Sequence, residues 1–352
     1  MNILVTGGAG FIGSNLVRFL INETNSNVIN IDSLTYAGNL ESLDSISSSD
    51  RYSFENIDIS DSSSLKKIIS QYSPDVIFHL AAESHVDRSI DDPEVFLKTN
   101  ILGTFNLLKL SSDHINQYSE KRKSKFRFIH VSTDEVFGDL KLNDPPFGET
   151  TAYNPSSPYA ASKASSDHLV RAWHKTYDFP SIITNCSNNY GPNQFPEKLI
   201  PLIIMNAINQ KPLPIYGDGS QIRDWLYVED HVKALHMLAE KGLIGETYNI
   251  GSQNEIKNID LVKKICNVLD QIRPQKSMQY EDLIKYVDDR PGHDKRYAIN
   301  PKKIFSQIGW QPEEKFDGGL KKTIKWYLEN ESWCKNIEDG SYLTRQGLLT
   351  KK

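Results

Sequence analysis

Asn2-Ile3-Leu4-Val5-Thr6-Gly7-Gly8-Ala9-Gly10-Phe11-Ile12-Gly13 opens the chain. A short apolar run enters glycines that satisfy both Gly-x-x-Gly-x-x-Gly and Gly-x-Gly-x-x-Gly, and Ser14 to Ile21 continues with helical periodicity. Strand, glycine turn and helix at this spacing predict a dinucleotide-binding βαβ unit. The glycines allow a tight turn and close backbone approach, and the helix N-terminus favours a diphosphate. Gly7, Gly10, Phe11, Ile12 and Gly13 are the expected contacts. A second run, Val28 to Ile31, ends in Asp32. A carboxylate there accepts from adenosine ribose hydroxyls and repels a 2′-phosphate, which favours NAD over NADP.

Strand and helix signals then alternate. Strands are expected at Tyr52 to Ile57, Val76 to Ala82, Phe126 to Ser132 and Ile182 to Cys186, with helices at Ser62 to Ser70, Glu94 to Ser111 and Tyr159 to Lys175. Continuous apolar strands separated by helices indicate an α/β fold, a Rossmann-type doubly wound parallel sheet. Ligands of such sheets lie outside the carboxyl ends of the strands. That places Asp32, Asp58, Ala81, Ala82, Ser84 and Thr133 to Glu135 around one crevice, and Ser33, Leu34, Thr35, Ile59, Leu80, Thr99, Tyr159, Lys163 and Asn189 are further candidate cofactor contacts. From Gly191 the pattern turns irregular and rich in Pro and Gly, as in a smaller C-terminal substrate-binding lobe. Trp225 to Glu240 reads as a strand and helix returning to the main sheet. The expected division is residues 1–190 with 225–252 for the cofactor, and 191–224 with 253–352 for the substrate.

Ser132-Thr133-Asp134-Glu135 and Tyr159-Ala160-Ala161-Ser162-Lys163 carry the chemistry. Tyr-x-x-x-Lys on a helix sets a phenol and an ammonium one turn apart on one face. The positive charge is expected to pull the tyrosine from its ordinary value of ~10 towards working pH. Such a tyrosine takes a proton from an alcohol while a nicotinamide takes the hydride. Asp134 and Glu135 exceed what an alcohol dehydrogenase needs, and suggest proton movement on carbon with expulsion of a leaving group.

Composition agrees with a cytoplasmic enzyme. The 352 residues carry a net charge of −5 and a pI near 6.0, so no basic field calls for nucleic acid. Lys121-Arg122-Lys123 reads as a solvated helix end. Cys186, Cys266 and Cys334 form neither a disulfide framework nor a metal-binding spacing. No apolar stretch approaches ~18 residues, so neither a signal peptide nor a membrane span is expected. His79 and His130, inside apolar strands, read as core histidines, and Trp310, Trp326 and Trp333 as packing; His85 stays undecided.

With these segments in view, the chain resembles the nucleotide-sugar 4,6-dehydratases, members of the extended short-chain dehydrogenases/reductases. Further matching segments are Tyr36 to Asn39, Ala81 to Asp87, Asn185 to Pro192, Phe195 to Leu199, Arg223 to Trp225 and Arg290 to Asp294. The resemblance implies that Tyr159, supported by Lys163, removes the glucose 4-hydroxyl proton as the C4 hydride passes to NAD, with Thr133 on the same oxygen. Glu135 then takes the C5 proton, Asp134 protonates the departing C6 hydroxyl, the hydride returns to C6 and a proton goes back to C5. A 4-keto-6-deoxy sugar nucleotide for deoxysugar (rhamnose-type) biosynthesis results.

The resemblance also places Ser84, Thr133, Asn188, Lys198, Leu199, Pro214, Tyr216, Arg223, Asn258, Arg290 and His293 on the nucleotide sugar, with Tyr297 nearby. Arg223, Arg290 and Lys198 suit a diphosphate; a structural pairing of Arg223 with Asp224 or Glu229 is the alternative. Asn193 replaces the aromatic residue common among bacterial members and matches UDP-glucose-using relatives. Arg290 to Asp294 matches the dTDP type, so dTDP-glucose is favoured. A sugar-nucleotide 4-epimerase and an NAD-sensing binding protein of the same fold are the rival readings. The relatives pair through two helices, which implies a homodimer.

Overall fold

The structure, a computed structural model, describes residues 1–337; the part of the expected substrate lobe from 338 to 352 lies outside them. Its centre is a seven-stranded sheet, every pairing parallel, in the order β10-β6-β5-β4-β1-β2-β3. These are β1 (Asn2–Thr6), β2 (Asn27–Asp32), β3 (Tyr52–Asn56), β4 (Val76–His79), β5 (Arg127–Thr133), β6 (Ser181–Cys186) and β10 (Thr247–Ile250). Every residue of β4 and β6 is buried, because helices cover both faces, and this is why apolar residues run consecutively at Val76, Ile77 and Phe78 and at Ile182 and Ile183 rather than alternating. Thr6 stands level with Ile31 of β2 and, on its other side, with His79 of β4. The strand order reverses on either side of β1, which opens a crevice at the carboxyl ends.

The first helix spans Phe11–Glu23 and the second Ser62–Tyr72. The helix carrying Tyr159 and Lys163 runs Pro158–Tyr177, starting where Ser157 Oγ accepts from Ala160 N at 3.1 Å. The helix expected over Glu94 to Ser111 is broken. An α-turn at Pro93–Phe96 widens into a π-helix at Leu97–Gly103, and α-helix resumes at Thr104–Ile115. Two close contacts accompany the widening. Buried Asn100 donates to Glu83 O and Ser162 Oγ and accepts from Glu83 N, and Ile59 Cδ1 lies 2.6 Å from where a Cβ on Gly103 would be.

Residues 222–227 correct the expectation for Trp225. β9 (Ile222–Tyr227) does not enter the main sheet. It is the middle strand of a separate sheet, parallel to β7 (Asn188–Tyr190) and antiparallel to β11 (Glu255–Lys257). The helix that follows, Val228–Lys241, does cover the main sheet, with Val232, Leu235 and Leu238 in one core with Leu16, Val17 and Leu20. β10 then completes the sheet beside β6. A buried apolar run fits either neighbour, so the pattern alone does not choose the edge. A second core gathers Tyr190, Ile203, Trp225, Leu261, Ile265 and Tyr327, and β8 (Leu213–Tyr216) pairs parallel with β12 (Ile284–Val287) beside it.

Candidate active site

The turn after β1 is shaped for a close ligand. Gly7 has φ +73, and a Cβ there would lie 2.7 Å from Ala81 N; one on Gly13 would lie 2.0 Å from Gly7 O. Gly10 caps the Phe11–Glu23 helix without a side-chain hydrogen bond, and no acid occupies the first turn. That helix start, carrying Phe11 and Ile12, suits an anion. Asp32 Oδ2 accepts from Ala9 N at 2.9 Å and Oδ1 from Leu34 N at 2.8 Å. Burial raises this carboxyl and the two N–H groups oppose the rise. Each oxygen keeps a second lone pair for a ribose hydroxyl. Leu34 is exposed in the left-handed region at φ 52, between exposed Ser33 and Thr35.

Asp58 Oδ1 accepts from Ser60 N at 2.8 Å ahead of buried Ile59, and Thr99 is half-buried in the π-helix. Leu80 N donates to Thr6 O and Ala81 N to Thr6 Oγ1, so the segment leading to Ala82 is pinned beside the glycine turn. Asn189 donates to Ser187 O, and its Oδ1 meets His231 Nδ1 at 2.9 Å.

At the end of β5 the two acids diverge. Thr133 Oγ1 accepts from Glu135 N at 3.2 Å and donates to Asp134 Oδ1 at 3.3 Å. Asp134 is 2% exposed, and its Oδ2 has no hydrogen-bond partner. Burial, then the neighbouring Glu135, hold its carboxyl well above the ordinary range, which favours the protonated acid. Burial raises Glu135 too, but Arg290, Arg223 and Lys198 oppose the rise and favour its carboxylate. Adjacent carboxyls pushed apart in this way suit one acid and one base.

Tyr159 departs from expectation. Burial, then Glu135 and Cys186, push its phenol well above its usual value, against a hydrogen bond with Thr133. The Lys163 ammonium, itself buried and donating to Val131 O at 2.9 Å, does not offset that rise. Desolvation of both groups outweighs the attraction expected from their spacing.

Asn188, Lys198, Leu199, Pro214, Tyr216, Arg223, Asn258, Arg290, His293 and Tyr297 line one cleft with Glu135. Thr133 is buried and joins it only through its hydrogen bonds with Asp134 and Glu135, and the Ser84 carbonyl accepts from the cleft residue Lys198 through Nζ at 3.0 Å. Arg290 Nη1 lies 3.1 Å from Asp87 Oδ1, while its Nε and Asn258 Oδ1 are buried without partners. Arg223 donates to the carbonyls of Ile222 and Asp294 and lies 4.3 Å above the Tyr297 ring. It does not pair with Asp224, which is taken by Ser252 and Asn254. His293 Nδ1 lies 2.6 Å from Asp289, and burial lowers the ring to about 4, so it is neutral near pH 7.

Asn193 lies elsewhere. Its φ of 66 is one that Asn tolerates, and its Oδ1 accepts from Arg18 at 2.9 Å. It lines a larger cavity of about 920 Å³ beside the first helix and does not line the cleft that holds Glu135.

His79 bridges Thr6 and Thr104 at 2.8 Å each, and His130 meets Asp167 at 3.1 Å; both are core histidines. His85 caps the Val86–Asp91 helix and approaches Glu197 at 3.7 Å. Trp310 and Trp333 are buried packing residues. The three cysteines are buried and form no disulfide, and no metal-binding cluster occurs among the described residues. No helix is long and apolar enough to cross a membrane among them. Sequence reasoning missed Asp87, Glu197 and Trp225 as cleft residues. All three stand in matched segments, and the signal for Asp87 was a carboxylate able to partner Arg290.

The family model described as GDP-mannose 4,6 dehydratase matches residues 4–323. The chain is 59% identical over 350 residues, 97% of each sequence, to a dTDP-glucose 4,6-dehydratase of Salmonella typhimurium. Two solved structures are similar over 96% of this chain and all of theirs. One is a dTDP-glucose 4,6-dehydratase of Streptomyces venezuelae with NAD bound (TM-score 0.88, 40% identity). The other is a dTDP-glucose 4,6-dehydratase of Bacillus anthracis in complex with NAD (TM-score 0.85, 43% identity).

Proposed function

Because the chain belongs to the family described as GDP-mannose 4,6 dehydratase, we propose that it dehydrates dTDP-glucose to dTDP-4-keto-6-deoxy-glucose. It is an NAD-dependent hydro-lyase of nucleotide-sugar metabolism. The observation that carries the reading is the pair at the end of β5: Asp134 buried towards its neutral form, Glu135 facing Arg290, Arg223 and Lys198.

Gly7 to Gly13 would hold the diphosphate of NAD, Asp32 its adenosine ribose, and the segments around Asp58, Ala81, Thr99 and Asn189 the remainder. When bound, NAD supplies a hydride acceptor at C4 and donor at C6, and the positive charge of the oxidised ring favours the Tyr159 phenolate. Tyr159 takes the 4-hydroxyl proton, Thr133 holds the same oxygen, and Lys163 braces the base through Val131. Glu135 removes the C5 proton of the 4-keto sugar, and a proton goes back to C5 once the hydride has reached C6. Asp134 gives a proton to the departing C6 hydroxyl. Each such acid or base contributes ~10²–10⁴ in rate. Arg223, Arg290 and Lys198 hold the diphosphate of the sugar nucleotide, Asn188 its hydroxyls, and Pro214 and Tyr216 wall its base.

The division of the chain is part of the same proposal. The segment around the main sheet serves the cofactor, and residues 191–224 with 253 onwards serve the sugar nucleotide. A homodimer fits the exposure of Val95, Leu97 and Leu102 on the stretch packed against the Tyr159 helix. A cytoplasmic setting fits three buried cysteines that form no disulfide.

Incubation with dTDP-glucose should give a product lighter by one water, with no net NADH. A product of unchanged mass, or stoichiometric NADH without dehydrated sugar, contradicts the reading. UDP-glucose, run in parallel, should turn over more slowly.

A further inference from the structure

Tyr159, Lys163, Asp167 and Arg171 follow one another at four-residue spacing along the Pro158–Tyr177 helix and so lie along one face. Asp167 takes no part in the chemistry above, yet it is wholly buried. Its carboxylate is held by His130 Nε2 at 3.1 Å, Ser132 Oγ at 2.9 Å, Tyr153 OH at 2.8 Å and Asn185 Nδ2 at 3.4 Å. Arg171 reaches it only through Tyr153, donating to that phenol oxygen at 2.6 Å and lying 4.7 Å over its ring. An acid this buried, with so many donors converging on it, is built to be an anion. Burial also leaves its field poorly screened.

Resting on the reading of Tyr159 as the base, we propose that Asp167 is a positioning residue for the dehydration. Its negative charge, one helical turn behind Lys163, keeps that buried side chain an ammonium ion one turn from the catalytic phenol.

The groups facing Lys163 single out Asp167. From β5 come the Val131 carbonyl and His130, from β4 His79, and from β6 Cys186. Burial lowers both histidines, His130 to about 4, and raises the Cys186 thiol to about 12, so all three are uncharged near neutral pH. Asp167, held below its ordinary value by His130, Lys163 and Tyr153 against burial, is the one full negative charge among these neighbours. Burial lowers the Lys163 ammonium, and Asp167 is the main opposing influence. Tyr159 itself faces Glu135, Asp134, Thr133 and Cys186, none of which the proposed change alters.

Asp167→Asn removes the charge and keeps the shape. Lys163 then loses its proton at lower pH, its support for the phenolate fails, and C4 oxidation requires more alkaline solution. The acidic limb of single-turnover NADH formation should move up by about one pH unit or more, with KM within about twofold of the parent. Asp167→Glu, which restores the charge, should return the limb. Ser132→Ala, which deletes one donor to the same carboxylate, should leave the limb in place.

A limb that stays put or moves to lower pH in Asp167→Asn overturns the proposal, as does an equal shift in Ser132→Ala. NMR of the parent enzyme with ε-¹³C-lysine applies even where the Asn variant does not fold. The resonance missing from Lys163→Met should report an ammonium at pH 7.5, and a neutral amine there overturns the proposal. A parent enzyme that forms no dehydrated sugar would instead remove the underlying reading, so the two failures are distinguishable.

Discussion

Asp134 keeps a buried carboxyl oxygen without a partner one residue from Glu135, whose carboxyl is opposed by Arg290, Arg223 and Lys198. Both carboxyls are raised by burial, but only that of Glu135 is opposed by three cations, and this difference in surroundings allows their roles to be separated experimentally. Asp134→Asn and Glu135→Gln should each lower dehydration by ~10²–10⁴. A substrate carrying fluoride at C6 loses its leaving group without a proton, so it should restore much of the rate to Asp134→Asn and none to Glu135→Gln. Both variants should still form enzyme-bound NADH. Rescue of Glu135→Gln alone reverses the assignment; equal rescue makes the pair a single unit.

The raised carboxyl of Asp134 also bears on stability. A group whose value is higher folded than unfolded contributes stability that is present at low pH and lost as pH rises through its folded value. Above the ordinary carboxylate range the buried site therefore disfavours ionised Asp134. Asp134→Asn should raise the melting temperature at pH 8 and change it less at pH 5. Each tenfold change in that ionisation equilibrium corresponds to about 1.4 kcal/mol. Paired thermal melts of the protein without added ligand check this.

Asp32→Ala should weaken NAD binding and relax the bias against NADP, because the carboxylate that accepts from ribose and repels a 2′-phosphate is gone. It also frees Ala9 N and Leu34 N, so the turn after β2 should loosen. Titration of both dinucleotides measures it. Unchanged NAD affinity would remove Asp32 from the ribose site.

Arg290 meets Asp87 at 3.1 Å, and Tyr216 OH reaches the same carboxylate at 3.3 Å. Arg290→Lys keeps a charge and loses the planar fork, so KM for dTDP-glucose should rise about tenfold or more while kcat changes less. Steady-state kinetics decide it. A fall in kcat at constant KM would place Arg290 in the chemistry instead.

What the chain discloses depends on whether a feature is local. The glycine turn, Asp32, the acids after β5 and Tyr159 with Lys163 each lie within a few residues, so strand and helix periods place them correctly. Features requiring a distant neighbour were hidden. β9 reads as a core strand, but its partners β7 and β11 are known only in the fold. The π-widening at Leu97–Gly103 does not disturb the apolar period. Spacing to Lys163 alone predicts a lowered Tyr159, whereas burial, then Glu135 and Cys186, both remote in sequence, leave it raised. Asn193 looked diagnostic by position, yet its side chain meets Arg18 outside the cleft.

Hydride return to C6 within one active site is the central claim, and isotope transfer tests it most directly. With dTDP-glucose deuterated at C4, the product should carry deuterium at C6, be lighter than its substrate by one water, and leave no labelled NADH in solution. Deuterium found at C4 of an undehydrated sugar, or lost to free NADH, would contradict the account.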